Sequence, residues 1–219
     1  MKSYNFEKVI VLIGPPGSGK GAQSALLSKK LNLPVIELGD LVRKKSNENS
    51  KEGKLIKDRL KKGKLLPDKI IISILENEIK KIKNKNGFIL DGFPRTIKQA
   101  KFLNRFKNKL VIYFKVNITE IIKRLSKRLT CPSCGGVFID NGKIKKCPDC
   151  KVGLIRREDD KPKIIRNRIN VFKEKTKPII SYLEKQKSLI KIDGNPSIPL
   201  VFKELWQALK IRDNDFNKK

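Results

Sequence analysis

Apolar residues are distributed along the chain in two textures. Val9-Ile10-Val11-Leu12-Ile13 is an unbroken, mostly β-branched run, as expected of a strand buried on both faces of a parallel sheet. A Gly/Pro turn follows, and Gly21–Leu31 then sets Ala22, Ala25 and Leu26 at helical spacing. Val35–Leu38 reads as a second strand, Phe88–Leu90 as a third, Leu110–Val116 as a fourth and Leu189–Ile192 as a short fifth. Between them, helical periodicity covers Leu41–Lys45, Leu55–Lys62 (ended by Gly63), Asp68–Lys83, Thr96–Phe106, Thr119–Arg128, Pro162–Glu184 and Val201–Leu209. The tail Asp213–Lys219 is expected to fray. Strands alternating with helices call for an α/β fold with a doubly wound parallel sheet. Cys131–Asp160 breaks the texture: it holds all four cysteines and no sustained helical period, and reads as an inserted subdomain.

Chemistry enters at the first turn. Gly14-Pro15-Pro16-Gly17-Ser18-Gly19-Lys20 matches G-x-x-x-x-G-K between a buried-type strand and a helix. Glycines there let successive backbone N–H groups converge on phosphate oxygens, the helix adds its positive end, and the lysine reaches the outer phosphates. The next residues are Gly21 and Ala22, where a GTPase or motor ATPase needs a hydroxyl for Mg2+. The departure argues against those classes, and the Gly-Lys-Gly sequence it leaves resembles that of nucleoside monophosphate kinases.

Composition changes this picture little. The 219 residues carry 52 Lys and Arg against 22 Asp and Glu, a net charge of +30. Such a charge fits a polyanionic partner. It equally fits a compositional preference for Lys, Asn and Ile, seen in Lys80-Lys81-Ile82-Lys83-Asn84-Lys85-Asn86. The scarce arginines are therefore the informative cations. No secretory core or 20-residue apolar span is present in the sequence, so a cytoplasmic location and no membrane partner are expected.

Three strings occur in order: Gly14–Gln23 (GPPGSGKGAQ), Gly39-Asp40-Leu41-Val42-Arg43, and Asp91-Gly92-Phe93-Pro94-Arg95-Thr96. Together they resemble the adenylate kinase family, and the resemblance runs from Val9 to Gly194. It implies a P-loop core of residues 1–36, 67–126 and 161–219, an AMP-binding insert of 37–66 and a lid of 127–160. It further implies reversible transfer of a phosphoryl group from ATP, carried with Mg2+, to AMP, giving ADP.

Position by position, the resemblance places Gly17, Ser18, Gly19, Lys20, Gly21 and Ala22 on the ATP phosphates. Arg124, Arg128, Val137, Phe138 and Pro196 fall at other ATP positions. Arg43 and Arg95 would clamp the AMP phosphate, with Leu38, Lys64, Leu65, Leu66, Gly92, Phe93, Pro94 and Gln99 lining the AMP pocket and Gln99 facing the adenine edge. Lys20, Arg95, Arg128, Arg157 and Arg168 would surround the transferring group, the last two also reaching AMP. Asp91 would hold magnesium through water, although a carboxylate here also fits a helix or turn cap. Ala22, Leu38 and Pro196 depart from the family's Thr, Thr and Lys. Phosphoryl transfer needs alignment, exclusion of water and positive charge, so a chain without histidine suffices and no general base is expected. Monomers are the family's expectation.

Cys131-Pro132-Ser133-Cys134 and Cys147-Pro148-Asp149-Cys150 are two C-x-x-C knuckles twelve residues apart, the pattern of a closed tetrahedral zinc site made of four thiolates. Disulfides are the alternative, disfavoured in a reducing compartment. The pair lies where the resemblance sets the lid, with a spacer short enough to imply a clipped outer hairpin. Two rival functions stand beside the kinase reading. One is a kinase for another monophosphate or using GTP; the other is a zinc-ribbon nucleic-acid binder. The spread of charge and 6% aromatic content weigh against the second, and no specific nucleic acid partner is expected.

Overall fold

The computed structural model describes residues 3–83, 85–186 and 189–216, with side chains to residue 211. In chain order the strands are β1 (Lys8–Ile13), β2 (Val35–Glu37), β3 (Gly87–Asp91), β4 (Lys109–Lys115), β5 (Arg128–Thr130), β6 (Val137–Ile139) and β7 (Leu189–Asp193). Five of them run parallel in the order β2-β3-β1-β4-β7, while β5 and β6 form a separate antiparallel ribbon. β1 is central because its side chains are apolar on both faces. Val9, Val11 and Ile13 enter one core, Ile10 and Leu12 the other.

Helices cover each face. The Ile10/Leu12 side is closed by α1 (Lys20–Leu31) and α9 (Ile198–Phe216), through Leu27, Val201, Leu205 and Leu209. The other side receives α2 (Leu38–Lys45), α3 (Lys51–Lys61), α4 (Asp68–Lys81), α5 (Ile97–Phe102) and α8 (Lys177–Lys185). A smaller cluster of Ile121, Leu125, Ile165 and Ile169 joins α6 (Ile118–Ser126) to α7 (Pro162–Val171) at the base of the ribbon.

Several boundaries differ from the sequence reading for local reasons. The second strand stops at Glu37, and Leu38 opens α2 with its side chain 2% exposed. α3 begins before Leu55 because the Ser50 side chain accepts from Gly53 N–H and caps it. α4 ends at Lys81 rather than Lys83. Thr96 caps α5, which tightens after Phe102 into a 3-10 turn, Leu103–Arg105. Arg128 leaves the helix and starts β5. The stretch Pro162–Glu184 is interrupted by a π-helical turn, Phe172–Thr176. α9 continues through Phe216, beyond the expected start of the tail, and residues 217–219 lie outside the described residues. Among the described residues, no helix is long and apolar enough to cross a membrane.

Candidate active site

The phosphate-binding candidates centre on the carboxyl ends of β1 and β3, where open α/β sheets bind ligands. β1 runs into the glycine turn, where Gly17 (φ 77°) and Gly19 (φ 88°) take left-handed backbone that lets the N–H groups curl inward. Lys20 opens α1, and its Nζ donates to the carbonyls of Gly14 and Pro15 at 3.0 Å each and to Ser18 Oγ at 3.1 Å. Burial pushes the lysine down to about 8; Asp91 opposes this, while Arg95, Arg168 and Arg128 reinforce it. A desolvated lysine facing three guanidiniums marks a pocket built for an anion.

That pocket is a cavity of about 820 Å³ whose walls include the glycine loop, the start of α2, the turn at 63–66, the segment after β3 and the inner edge of the ribbon. Six of the chain's eleven arginines line it: Arg43, Arg95, Arg124, Arg128, Arg157 and Arg168. Arg43 pairs with Asp40, and with Glu37 at 3.4 Å. Arg95 Nε donates to Gly92 O at 2.9 Å, and burial, with Arg168 alongside, pulls its pKa down to about 10. Arg128 is held bidentately by Asp160, Nε to Oδ2 at 2.7 Å and Nη2 to Oδ1 at 2.6 Å, and Arg168 Nη1 shares that Oδ1 at 3.0 Å. Arg124 donates to the carbonyls of Gly194 and Asn195, each at 2.8 Å, anchoring the loop that carries Pro196.

Arg157 is the exception. Its Nε donates to Thr130 Oγ1 at 2.9 Å, but its Nη2 is buried with no hydrogen-bond partner among the described residues. Burial first, then Arg43 and Arg128, lower it to about 10. A buried donor left unpaired is costly, and its place in a cation-rich pocket makes an anionic oxygen its natural complement.

A family model described as adenylate kinase matches residues 12–188. Three curated relatives, each named adenylate kinase, match nearly end to end. The protein from Kosmotoga olearia is 40% identical, the alignment covering 92% of this chain and 98% of the relative. That from Chlamydia muridarum is 37% identical, with 96% and 90% covered, and that from Buchnera aphidicola is 43% identical, with 95% and 99%. The chain belongs to the adenylate kinase family.

Adenylate kinases use Mg2+ with ATP. Asp91 has the character such an ion needs: it is 5% exposed, faces the cavity, and its side chain has no hydrogen bond or ion pair among the described residues. Burial raises its pKa and Lys20 and Arg95 oppose the rise, so an added cation would complete it. The turn-cap alternative finds no bond to support it.

Most residues expected at an adenylate kinase site do line the cavity, including Gly17–Ala22, Leu38, Lys64–Leu66, Gly92, Pro94, Gln99, Val137 and Pro196. Two do not. Phe93 is fully buried and packs edge-on against Phe102, 6.0 Å between centroids, so only its backbone belongs to the site loop. Phe138 is not among the lining residues; its strand neighbours Val137 and Ile139 are, as alternation along β6 requires. The carboxylates Glu37, Asp40 and Asp159 and the buried hydroxyl of Thr176 were missed. Asp40 precedes Arg43 by one helical turn, a spacing that could have exposed the pair. Thr176 Oγ1 donates to Arg95 O at 3.2 Å from the π-helical turn, and no local pattern announces it.

The four cysteines are free thiols, not disulfides, and their sulfurs lie within 4.8 Å of one another. Zinc–thiolate bonds of about 2.3 Å in a tetrahedron set sulfurs about 3.8 Å apart. The Cys134 and Cys147 sulfurs are 3.8 Å apart. Each knuckle turns alike: the N–H of Cys134 approaches Cys131 Sγ at 3.5 Å, and that of Cys150 approaches Cys147 Sγ at 3.5 Å. Gly135 (φ 76°) and Lys151 (φ 59°) close the two turns. Cys131, Cys134, Cys147 and Cys150 thus fit a structural zinc with no open position.

Proposed function

We propose that this chain catalyses the reversible transfer of the ATP γ-phosphoryl group to AMP, giving two ADP. The observation that carries the reading is the convergence of Lys20, Arg95, Arg128, Arg157 and Arg168 on one cavity, with Arg157 Nη2 still unpaired. The loop Gly17–Ala22 and Lys20 bind the donor phosphates, with Arg124 and Arg128 beside them and Val137, Phe138 and the Pro196 loop near the donor base. Arg43 and Arg95 clamp the acceptor phosphate, and Leu38, Lys64, Leu65, Leu66, the backbone of Gly92–Pro94 and Gln99 enclose AMP. Arg157 and Arg168 bridge the two. Asp91 would hold the magnesium that accompanies ATP, and that ion, when bound, would neutralise charge on the donor phosphates.

The protein's own contribution is alignment, charge and dryness. Residues 37–66 and 127–160 act as mobile covers on a core of 1–36, 67–126 and 161–219. The two segments approach each other at Gly135, where an added Cβ would sit 3.0 Å from Asp40 Oδ2. Closure in this manner excludes water as a competing acceptor. The protein works in the cytoplasm as a monomer.

The experiment is ADP formation from ATP with AMP, CMP, UMP or GMP, with the donor also varied to GTP. ADP from ATP and AMP at a kcat/KM well above the other pairs is expected. Better turnover with another acceptor or donor would overturn the substrate assignment while leaving a kinase.

A further inference from the structure

Gln99 is 1% exposed, and two of its four hydrogen-bonding positions are already used. Its Oε1 accepts from the backbone N–H of Arg95 at 2.7 Å, and its Nε2 donates to Asp68 Oδ1 at 2.7 Å. A backbone N–H can only donate and a carboxylate can only accept, so these partners settle which end of the amide is which. Thr96 completes the arrangement: its hydroxyl donates to the same Asp68 oxygen at 2.8 Å and accepts from Gln99 N–H at 3.2 Å. Asp68 stands at the first position of α4, directly after the 37–66 insert.

We propose that Asp68 is a positioning residue for acceptor selectivity, locking the Gln99 amide in the one orientation that matches adenine. The proposal rests on the reading of Gln99 as the residue facing the acceptor base. In the locked orientation, one N–H and one lone pair remain free. Adenine offers the complement, a ring-nitrogen acceptor at N1 beside an amino donor at N6. Hypoxanthine has the same size and the reverse order, an N1–H donor beside an O6 acceptor. To accept it, Gln99 must flip, aiming its carbonyl at the Asp68 carboxylate and its NH2 at the Arg95 N–H. Both contacts are then lost and both replacements repel. Cytosine presents the adenine order, so Asp68 plays no part in rejecting it.

This pattern separates positioning from a merely structural role. An aspartate in the first turn of a helix also stabilises that helix, and its loss on that ground alone would affect every acceptor alike. Wild type, Asp68→Ala, Asp68→Asn and Gln99→Met are compared for kcat/KM with AMP, IMP and CMP at saturating ATP, after thermal melts establish that each is folded. Asp68→Ala removes one of the two anchors. Efficiency with IMP should rise about tenfold, the effect of one hydrogen bond. Efficiency with AMP should fall less than about threefold, through KM rather than kcat, and that with CMP should hold. Asp68→Asn still offers a carbonyl to Gln99 and should keep the wild-type AMP-to-IMP ratio. Asp68→Ser replaces the alanine variant if that one does not fold.

An unchanged AMP-to-IMP ratio in Asp68→Ala, or parallel losses with all three acceptors, overturns the proposal when Gln99→Met narrows the ratio. If Gln99→Met leaves the ratio as in wild type, the base-reading role of Gln99 has failed, and the role of Asp68 falls with it.

Discussion

Asp160 is the carboxylate on which the lid arginine depends. Its side chain is 4% exposed, and that of its partner Arg128 is 11%. One carboxylate thus holds both Arg128 of β5, through hydrogen bonds of 2.6 and 2.7 Å, and Arg168 of α7, through one of 3.0 Å. Asp160→Asn keeps the shape but removes the charge and turns an NH2 toward a guanidinium. Removing one member of a buried pair costs about 3–5 kcal/mol in measured cases. Asp159, 3.0 Å from Arg168, retains part of the compensation, so about 3 kcal/mol is the expectation here. For a domain of this size each kcal/mol is worth about 2–4 °C, so the melting temperature should drop by roughly 6–12 °C. Two guanidiniums released from their carboxylate also lose their aim at the cavity, and kcat should fall about a hundredfold. Calorimetry of the free enzyme and ADP-forming rates at saturating ATP and AMP read the two effects. Nucleotide phosphates supply replacement anions, so the thermal deficit should shrink when both sites are filled. A melting temperature within about 2 °C of wild type would refute the energetic argument. A destabilised variant with full kcat would separate the pair from catalysis.

Lys20→Met and Arg95→Ala should each lower kcat/KM by about 10²–10³-fold without loss of folding, because both groups face developing phosphate charge; near-normal steady-state rates would remove them from the site. Removing zinc with a chelator should expose four thiols to alkylation and melt the ribbon of residues 127–160 while the parallel sheet stays folded, followed by thiol titration and far-UV spectra. Four freely reactive thiols in untreated protein would refute it. Burial, then Asp91 and Asp40, push the Glu37 carboxyl up to about 7, against the opposing pull of Arg43 and Arg157. The folded state therefore binds more protons than the unfolded chain between about pH 4.5 and 7, and stability contributed by neutral Glu37 is lost as pH rises through that window. Glu37→Gln should consequently melt higher than wild type at about pH 8 and equally at about pH 4.5, and a pH-independent difference would count against the argument.

The parts of this molecule legible in the sequence are those whose physics is local. A strand buried on both faces must be apolar at every position, so Val9–Ile13 could be read alone. A phosphate loop needs glycines at set places, and a thiolate knuckle needs its cysteines closely spaced along one turn. What was misread depends on neighbours distant in the chain. Pro162–Glu184 has one unbroken apolar periodicity, yet a π-helical turn at Phe172–Thr176 lets Thr176 reach the Arg95 carbonyl, eighty-one positions away. Which residues of β6 line the cavity is no more legible: Phe138, a donor-site position by the family's pattern, stands between the lining residues Val137 and Ile139. The side of a strand that a residue occupies is decided by pairing register, here Thr130 with Val137 and Arg128 with Ile139.

The net charge of +30 illustrates the same division between local and assembled properties. In the sequence it suits a nucleic-acid binder as readily as a kinase. In the folded chain the lysines outside the cavity are mostly half-buried or exposed, several paired along their own helices, as Lys62 is with Asp58 and Lys81 with Glu78. Such pairs contribute little. The arginines that line the cavity are drawn from β3's following loop, α2, α6, β5, the lid's return and α7. Burial first, and neighbouring guanidiniums with it, lower the pKa of Arg95, Arg157 and Arg168, and nearby carboxylates oppose the shift only in part. A cluster of this kind is stable only because the fold forces it, and its unpaired member, Arg157, shows where the relief is incomplete. The deficit is met by a ligand with several anionic oxygens held inside a closed space, which describes two nucleotides end to end. A long, base-stacked strand lying on an open surface does not meet it. Salt should therefore weaken any RNA association of this chain steeply, since that rests on surface lysines and counterion release, while acceptor KM values change far less.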